Sequence, residues 1–431
     1  MNQCQILFAW QVCCRMFAFA LILVVATTVR AAPYGAEVSD PPGATVASLH
    51  SWLIAHNPDL LAMTLEAQAA DARVQPAGAL PDPMAQIELR DINADKPRVL
   101  PAQVGSTFYQ LRQRFPLWGK RGLARDAASA DASSAAYRRD ARLRELIATT
   151  EQAYVRYWFA GQSAATLDRI VDVLSNLEQL ANQRYAAGLA PQQDAIKAQV
   201  ERTSMLRERI ERMAMQREAK AQLNASLARG PNDALAEPTG EPELELPANL
   251  DAAIAASLDA HPALAAAGAS VEAAEDRREL TYRNRYPDLT VGIAPIQVGS
   301  RLASWELMFE IEIPFQQTTR RNQEHEATLM RDASAARRDA IAVQLRGQTG
   351  EIRANWEGAR EQRALIEHTL LPQTDANFES ALSSYQVGAV DFTTLLDALR
   401  QRRAADLTRL DATRDALLSA ATLRSLIGEA R

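Results

Sequence analysis

A strict alternation of apolar and mostly charged residues runs through Trp305-Glu306-Leu307-Met308-Phe309-Glu310-Ile311-Glu312-Ile313. Successive side chains of a β-strand point to opposite faces, so this stretch predicts a strand with one apolar and one acidic face. Three other segments alternate similarly, and we predict strands over about 84–92, 107–115, 288–296 and 303–313. The pattern fits a membrane-spanning barrel with water inside, and it equally fits a soluble sheet with one buried face.

The charged residues of the predicted strands fall on one face. They are Glu306, Glu310 and Glu312 in the last strand, and Arg112 and Arg114 in the second. In a barrel these side chains would line a water-filled interior, while the apolar side chains would contact lipid. Strands of about nine or ten residues are long enough for a tilted membrane crossing.

Several short sequence motifs recur after about 200 residues, as expected for a duplicated structural unit. Asn57-Pro58 returns as His261-Pro262, and Tyr185-x-x-Gly188 returns as Tyr385-x-x-Gly388. Each copy predicts a helix, two strands, a very long helix, a Gly turn and another long helix. We therefore divide the chain into a first structural repeat, a Pro-rich linker and a second structural repeat, at 33–229, 230–247 and 248–431.

Residues 119–187 and 320–387 predict helices of unusual length, because they are rich in Ala, Arg, Leu, Glu and Gln. At 1.5 Å per residue each would extend roughly 100 Å. Apolar residues at three- and four-residue steps between Leu167 and Ala181 predict coiled-coil packing. Gly188 and Gly388 mark the turns at the tips of two long helical hairpins.

The small number of strands predicts an oligomer. Two repeats supply only four strands, and a sheet of that size keeps two open edges. Three chains would close a twelve-stranded barrel that has no free edge. The predicted fold class is thus mainly α with a small β part, in which a trimeric β-barrel continues into an α-helical barrel.

The N-terminal residues predict a secretory signal peptide over 1–32. Arg15 precedes an apolar run that is too short to span a bilayer, and Ala31 and Ala32 offer small residues for cleavage. All three cysteines lie in this segment, so the mature chain would contain neither disulfides nor a lipid-accepting cysteine.

Composition and motifs argue against several other functions. The net charge of −6 argues against nucleic acid as a partner. The five histidines are scattered, with no pair at i and i+4, which predicts no tight metal site. Neither a phosphate-binding loop nor a nucleophile motif is present in the sequence, so we expect no cofactor and no catalytic residue, and the protein is not expected to be an enzyme.

Taken together, the duplicated Asn57-Pro58/His261-Pro262 start, the Pro-Asp dipeptides before the outer strands and the two Tyr-x-x-Gly tips resemble the TolC family of outer-membrane efflux channels. The resemblance covers nearly the whole mature chain. Two segments, Phe115-Pro116-Leu117-Trp118-Gly119-Lys120-Arg121 and Asp82-Pro83-Met84, resemble sequences of the branch that serves heavy-metal pumps, the CzcC/CusC-like proteins.

The resemblance implies a homotrimer in the outer membrane of a Gram-negative bacterium, with a long periplasmic extension. It also implies two partners, a periplasmic adaptor (membrane fusion protein) and an inner-membrane pump of the RND type. In this family acidic residues just after the second tip narrow the periplasmic end. Here Asp397 fits the inner position of that motif, Asp391 is offset from it by one turn, and Asp194 takes the outer position after the first tip, so these three residues are the gate candidates. The adaptor would dock on the tips, formed by Gly188, Leu189 and Ala190 and by Gly388, Ala389 and Val390.

The sequence thus predicts a passive exit duct, with heavy-metal cations as the expected cargo. A drug-efflux or type I secretion duct of the same fold remains open as an alternative. A periplasmic coiled-coil scaffold without a pore is the alternative from another class.

Overall fold

The computed structural model describes residues 41–93, 95, 97–313 and 315–428. The predicted signal peptide, 1–32, lies outside the described residues. All elements described below belong to a unit that begins at Pro42. None of the helices built from the described residues carries an apolar run long enough to cross a membrane.

The first repeat contains two long antiparallel helices that follow three short ones and two strands. Its elements, in chain order, are α1 (Val46–His56), α2 (Pro58–Ala72), α3 (Val74–Ala77), β1 (Met84–Arg90), β2 (Ser106–Phe115), α4 (Lys120–Ala186) and α5 (Gln192–Ser226). The 67 residues of α4 extend about 100 Å along the helix axis.

The second repeat has the same order of elements. They are α6 (Leu250–Asp259), α7 (Pro262–Arg283), β3 (Leu289–Val298), β4 (Arg301–Ile311), α8 (Gln317–Leu365), a π-helical segment (Ile366–Leu370), α9 (Leu371–Gln386) and α10 (Phe392–Ile427). Where one helix was predicted over 320–387, the structure has three consecutive segments. The interruption coincides with Pro372, whose ring cannot continue a regular α-helix.

The prediction of a single helix at the start of each repeat is also wrong, because the helix is broken in both repeats at the duplicated X-Pro motif. Asn57 caps α2, and its side-chain oxygen accepts hydrogen bonds from the amides of Asp59 (2.9 Å) and Leu60 (3.1 Å). His261 caps α7 by accepting from the amide of Ala263 at 3.2 Å. A proline at the first helical position suits such a start, since that amide would lack a helical partner anyway. The motif therefore starts a new helix in each repeat.

The four strands form one antiparallel sheet in the order β1-β2-β3-β4. The strands begin and end within two residues of the predicted positions. β1 stops at Arg90, because Asp91 has a left-handed backbone (φ 56°). β3 and β4 are joined by a two-residue turn, in which Gly299 has a φ of 60°. β4 therefore begins at Arg301 instead of 303 and ends at Ile311 instead of 313.

Three apolar clusters hold the helices together. The cluster nearest the tips joins α4 to α9 and α10 through residues such as Leu174, Phe378 and Leu395. The other two lie towards the opposite ends of α5 and α10, around Tyr154 and around Trp158. Leu244, from the segment that joins the repeats, packs in the Trp158 cluster, so this connection is part of the core.

Candidate functional site

The sheet has two chemically different faces, as the alternation predicted. Ile87 of β1, Leu111 of β2 and Ile293 of β3 share one face with alternate residues of β4. On β4 the side chains of Leu307 and Phe309 are each 68% exposed. Nothing among the described residues covers this face, which has the character of a surface that contacts lipid or another apolar partner.

The opposite face carries the charged residues that were predicted to line an interior. Arg114 pairs with Thr290, and Thr290 with Glu310, so these side chains form one row across three strands. Arg112 donates to the side-chain oxygen of Gln86 at 3.0 Å, and Arg114 lies 3.6 Å from Glu312. Glu306 belongs to the same face, two residues before Met308. The structure thus brings the predicted lumen residues together.

A buried ion pair connects the sheet to the long helices. Asp288, just before β3, receives hydrogen bonds from Lys120 (2.7 Å) and Arg114 (2.7 Å). Only about a tenth of the side chains of Lys120 and Asp288 is exposed. Trp118 donates from its indole nitrogen to the carbonyl of Pro287 at 2.8 Å. The segment from Phe115 to Arg121 in the first repeat and the dipeptide Pro287-Asp288 in the second, both of which resembled family motifs, therefore meet at this junction. The sequence did not predict this contact.

Both hairpin tips end in the same backbone motif. The amide of Leu189 donates to the carbonyl of Arg184, and that of Ala389 to the carbonyl of Ser384, each at 2.8 Å. Such a six-residue closure needs a left-handed residue, and Gly188 (φ 69°) and Gly388 (φ 78°) provide it. Leu189 and Ala389 are exposed at the two tips, while Ala190 and Val390 are half-buried.

The two tips of one chain are tied together. The buried Tyr385 hydroxyl donates to Asp194 of α5 at 3.2 Å. Arg184 of α4 donates to the carbonyl of Gln386 and lies over the Tyr385 ring, 5.0 Å from its centroid. Burial, followed by the nearby Asp194 carboxylate, raises the pKa of Tyr385 to about 12, so its hydroxyl keeps the proton it donates.

The three acidic gate candidates lie in three different environments. Asp194 is only 8% exposed and serves the contact with Tyr385, which differs from the expectation of a carboxylate at an opening. Asp391 caps α10 by accepting from the amide and hydroxyl of Thr394 at 2.9 and 2.6 Å. These hydrogen bonds lower the pKa of Asp391. Asp397 has a side chain that is 56% exposed and pairs with Arg400 at 3.1 Å.

Sequence reasoning missed the basic side chains that join α10 to α5. Arg400 also binds Glu201 at 2.6 Å, and Arg403 binds Glu208 at 2.9 Å. The signal was an arginine on α10 about 200 positions after a glutamate on α5, but a single sequence does not show which helices are neighbours. Among the described residues, no group of three or more His, Asp or Glu side chains could hold a metal ion.

Comparison with known proteins finds similar folds and a family model that matches part of the chain. Residues 253–429 match the sequence model of the outer membrane efflux protein family. The structure resembles that of VceC from Vibrio cholerae, an outer membrane protein, with a TM-score of 0.76 and 17% identity over 88% of this chain and 95% of the other. No curated protein matches the sequence.

Two further solved structures are similar over most of their length. CusC gives a TM-score of 0.74 and 17% identity over 89% of this chain and 92% of the other. The open state of the MtrE outer membrane channel of Neisseria gonorrhoeae gives 0.74 and 17%, with 89% of each chain covered.

Proposed function

We propose that this chain, whose residues 253–429 match the outer membrane efflux protein model, is a member of the TolC family and that three copies of it form the exit duct of a tripartite efflux system. The observation that carries the proposal is the sheet, whose apolar face is exposed across all four strands. A sheet with such a face is stable in a bilayer only if its edges are closed. Closure by three chains gives a twelve-stranded barrel in the outer membrane.

The edges of the helical layer support ring assembly. Within the described residues α5 packs chiefly on α4, and its opposite face exposes a stripe of apolar side chains, namely Ile196, Val200, Leu206, Ile210 and Met213. On α8, a Cβ placed at Gly347, Gly350 or Gly358 would meet nothing within 4 Å. An apolar ridge fits against a helix face with small residues, so we propose that α5 of one copy packs on α8 and α9 of the next.

The end of the rod supplies the contact with the partners. The tips lie at the far ends of the hairpins from the sheet, so in this arrangement they extend into the periplasm. We propose that a periplasmic adaptor docks on Leu189, Ala190, Ala389 and Val390, and that an RND-type pump supplies the energy. A bulky residue at Gly188 or Gly388 should prevent docking without preventing assembly, because only the left-handed turn is disturbed.

Asp397 is the proposed charge at the narrow end. It is exposed on α10, and a threefold axis would turn it into a ring of like charges that attracts cations. Replacing Asp397 with Ala should reduce cation selectivity and leave the melting temperature of the trimer unchanged. Replacing Asp172 of α4, which is also exposed, serves as the control. If Asp397→Ala retains the wild-type cation selectivity, this residue does not form the constriction.

For the cargo we propose heavy-metal cations. This proposal is supported by the segment from Phe115 to Arg121, which resembles sequences of the heavy-metal branch and forms the junction between the sheet and the helices. The alternative is a drug-efflux or secretion duct, for which the same geometry would serve.

Two experiments test the proposed function. Protein extracted from outer membranes should have the mass of a trimer and should conduct ions in planar lipid bilayers. Soluble monomers without conductance would support a periplasmic scaffold instead. A strain that lacks the protein should become sensitive to divalent transition metals; sensitivity to drugs alone would contradict the metal assignment.

A further inference from the structure

A groove of about 760 Å³ lies between α4 and α8, over the first turns of α7 and beside the end of α10. Small side chains of α7 form its floor, among them Ala263, Ala267 and Ser270. The α4 residues that line it run from Arg138 to Gln152, which corresponds to about 21 Å along the helix. A space of this volume and length suits an elongated small molecule better than a single ion.

The charged side chains along the groove are mostly basic. Arg138 and Arg142 of α4 and Arg337 of α8 line its walls. Among the described residues that line the groove, Glu145 is the only acid. Glu145 is already paired with Arg142, at 2.7 Å, so it does not neutralise the other arginines. The groove therefore attracts anions.

Two of the arginines have guanidinium groups that a ligand can reach. Arg337 is exposed and makes no hydrogen bond or ion pair with any described residue. Arg138 is also exposed and donates to the hydroxyl of Ser270 at 3.4 Å, which is long for a hydrogen bond. Ser334, one helical turn before Arg337, lines the groove as well. These two arginines and two serines form a cationic end of the groove.

The remainder of the groove changes from apolar to uncharged polar along its length. Ile341 and Leu345 follow Arg337 on α8 at helical spacing and supply an apolar middle section. The far end carries amide and hydroxyl groups, since the Gln152 side chain donates to the hydroxyl of Thr422 at 3.0 Å. The groove thus has a direction, with cations at one end and neutral groups at the other.

The protonation of His261 reflects the positive charge near the groove. His261 lines the groove and is only 8% exposed. Burial lowers the pKa of His261, and the positive charge of Arg144 lowers it further, so the ring is neutral at pH 7. Its Nδ1 accepts from the amide of Ala263, which leaves the proton on Nε2 as a further donor.

The groove opens on the face of the helical layer opposite to α1. Ile147 and Tyr154 of α4 pack in one apolar cluster with residues of α1. At about 100° per residue, Arg138 and Glu145 lie roughly half a turn round the helix from Ile147. In the proposed ring, a second layer such as α1 fits on the outside, and the groove then faces the water-filled interior.

We propose that this groove binds an organic anion with an elongated apolar body, whose acidic group is held by Arg138 and Arg337 and whose body lies over the alanines of α7. Guanidinium groups form strong, charge-assisted hydrogen bonds with oxyanions. The apolar body removes Ile341 and Leu345 from water. Arginines repel metal cations, so this ligand is distinct from the cargo proposed above. The groove is formed by a single chain, and the proposal does not depend on the duct.

The test compares two fluorescent probes that share one aromatic body. Anilinonaphthalene sulfonate carries an acidic group, whereas phenylnaphthylamine lacks it. Both are titrated into the purified full-length protein, and the signal of micelles without protein is subtracted. We expect the sulfonate to bind more tightly than the neutral probe. Arg138→Gln and Arg337→Gln should each weaken sulfonate binding about tenfold, through loss of a charge-assisted hydrogen bond, and should leave the neutral probe nearly unaffected.

Arg346→Gln is the matched control, because Arg346 is also an exposed arginine of α8 but does not line the groove. It should leave the binding of both probes unchanged. Ala267→Phe fills the floor of the groove and should abolish the binding of both. Circular dichroism and the mass of the purified assembly show whether each variant is folded.

Sulfonate affinity at the wild-type value in both Arg138→Gln and Arg337→Gln would overturn the proposal. Equal weakening by Arg346→Gln would also overturn it, since the effect would then come from the general charge of the surface. If the wild-type protein does not conduct ions, the proposed duct fails, and the titrations still decide whether the groove binds an organic anion.

Discussion

Tyr385 is the residue on which the contact between the two tips depends. Its hydroxyl is the hydrogen-bond partner of the buried Asp194, and removing one member of a buried pair leaves the other with a desolvation cost of about 1–3 kcal/mol. We expect Tyr385→Phe to loosen the closed tip and to raise the open probability of single channels about tenfold. Tyr185→Phe, at the exposed equivalent position of the first tip, is the control and should have no effect. An unchanged open probability in Tyr385→Phe would show that this hydrogen bond does not stabilise the closed state.

The stability of the second tip should depend on pH through Asp391. The hydrogen bonds that Asp391 accepts determine the direction of this dependence. The Thr394 hydroxyl and amide lower the pKa of Asp391, so its contribution to stability is complete above the pKa of the unfolded chain. The contribution is lost as the pH falls through the lower folded value. After correction for the intrinsic rate, hydrogen exchange of the first turn of α10 should therefore accelerate on acidification below about pH 4.

The matched variant for this prediction is Asp391→Asn, because asparagine caps a helix but does not titrate. Exchange in the first turn of α10 should then be independent of pH after correction for the intrinsic rate. The same acid-induced acceleration in Asp391→Asn and the wild type would assign it to another group.

Among single residues, the helix caps illustrate what sequence reasoning could reach. Asn57-Pro58 and His261-Pro262 were recognised as a repeated motif, and a proline after a capping residue is a known start signal. The break was missed because apolar periodicity continues across both motifs. The contact between Asp288 and Lys120 is separated by 168 positions, and only the folded chain shows that the two residues meet.

Among the elements, β4 provides the sharpest distinction between the two faces of the sheet. If Phe309 contacts lipid, an arginine there should cost about 2–4 kcal/mol per chain. Glu310 is the neighbour on the opposite face, so Glu310→Arg should have a much smaller effect. The yield of heat-resistant trimers from outer membranes measures both. Equal losses from the two substitutions would contradict the assignment of the faces.

The strands and the long helices differ in how well the sequence specified them. β4 was predictable because apolar and polar residues alternate along the whole strand, with a period of two that a helix does not produce. α4 was predictable because its residues favour helix along its length. The π-helical segment was not predicted, since Leu371-Pro372 lies in an otherwise helical pattern.

At the scale of the whole molecule, three features point to assembly. The sheet exposes an apolar face and two edges, α5 exposes an apolar stripe, and the glycines of α8 face open space. Each of these surfaces would be costly in a monomer and becomes buried if copies of the chain form a ring. Closure and membrane insertion are therefore expected to be coupled in one assembly process.

A cryo-electron microscopy structure of the protein extracted from outer membranes would show whether this chain forms a trimeric channel. We predict threefold symmetry, with β4 of each copy paired to β1 of the next and α5 packed against α8 and α9 of a neighbour. A structure in which the apolar face of the sheet is covered by residues of the same chain, with β1 and β4 unpaired, would contradict it.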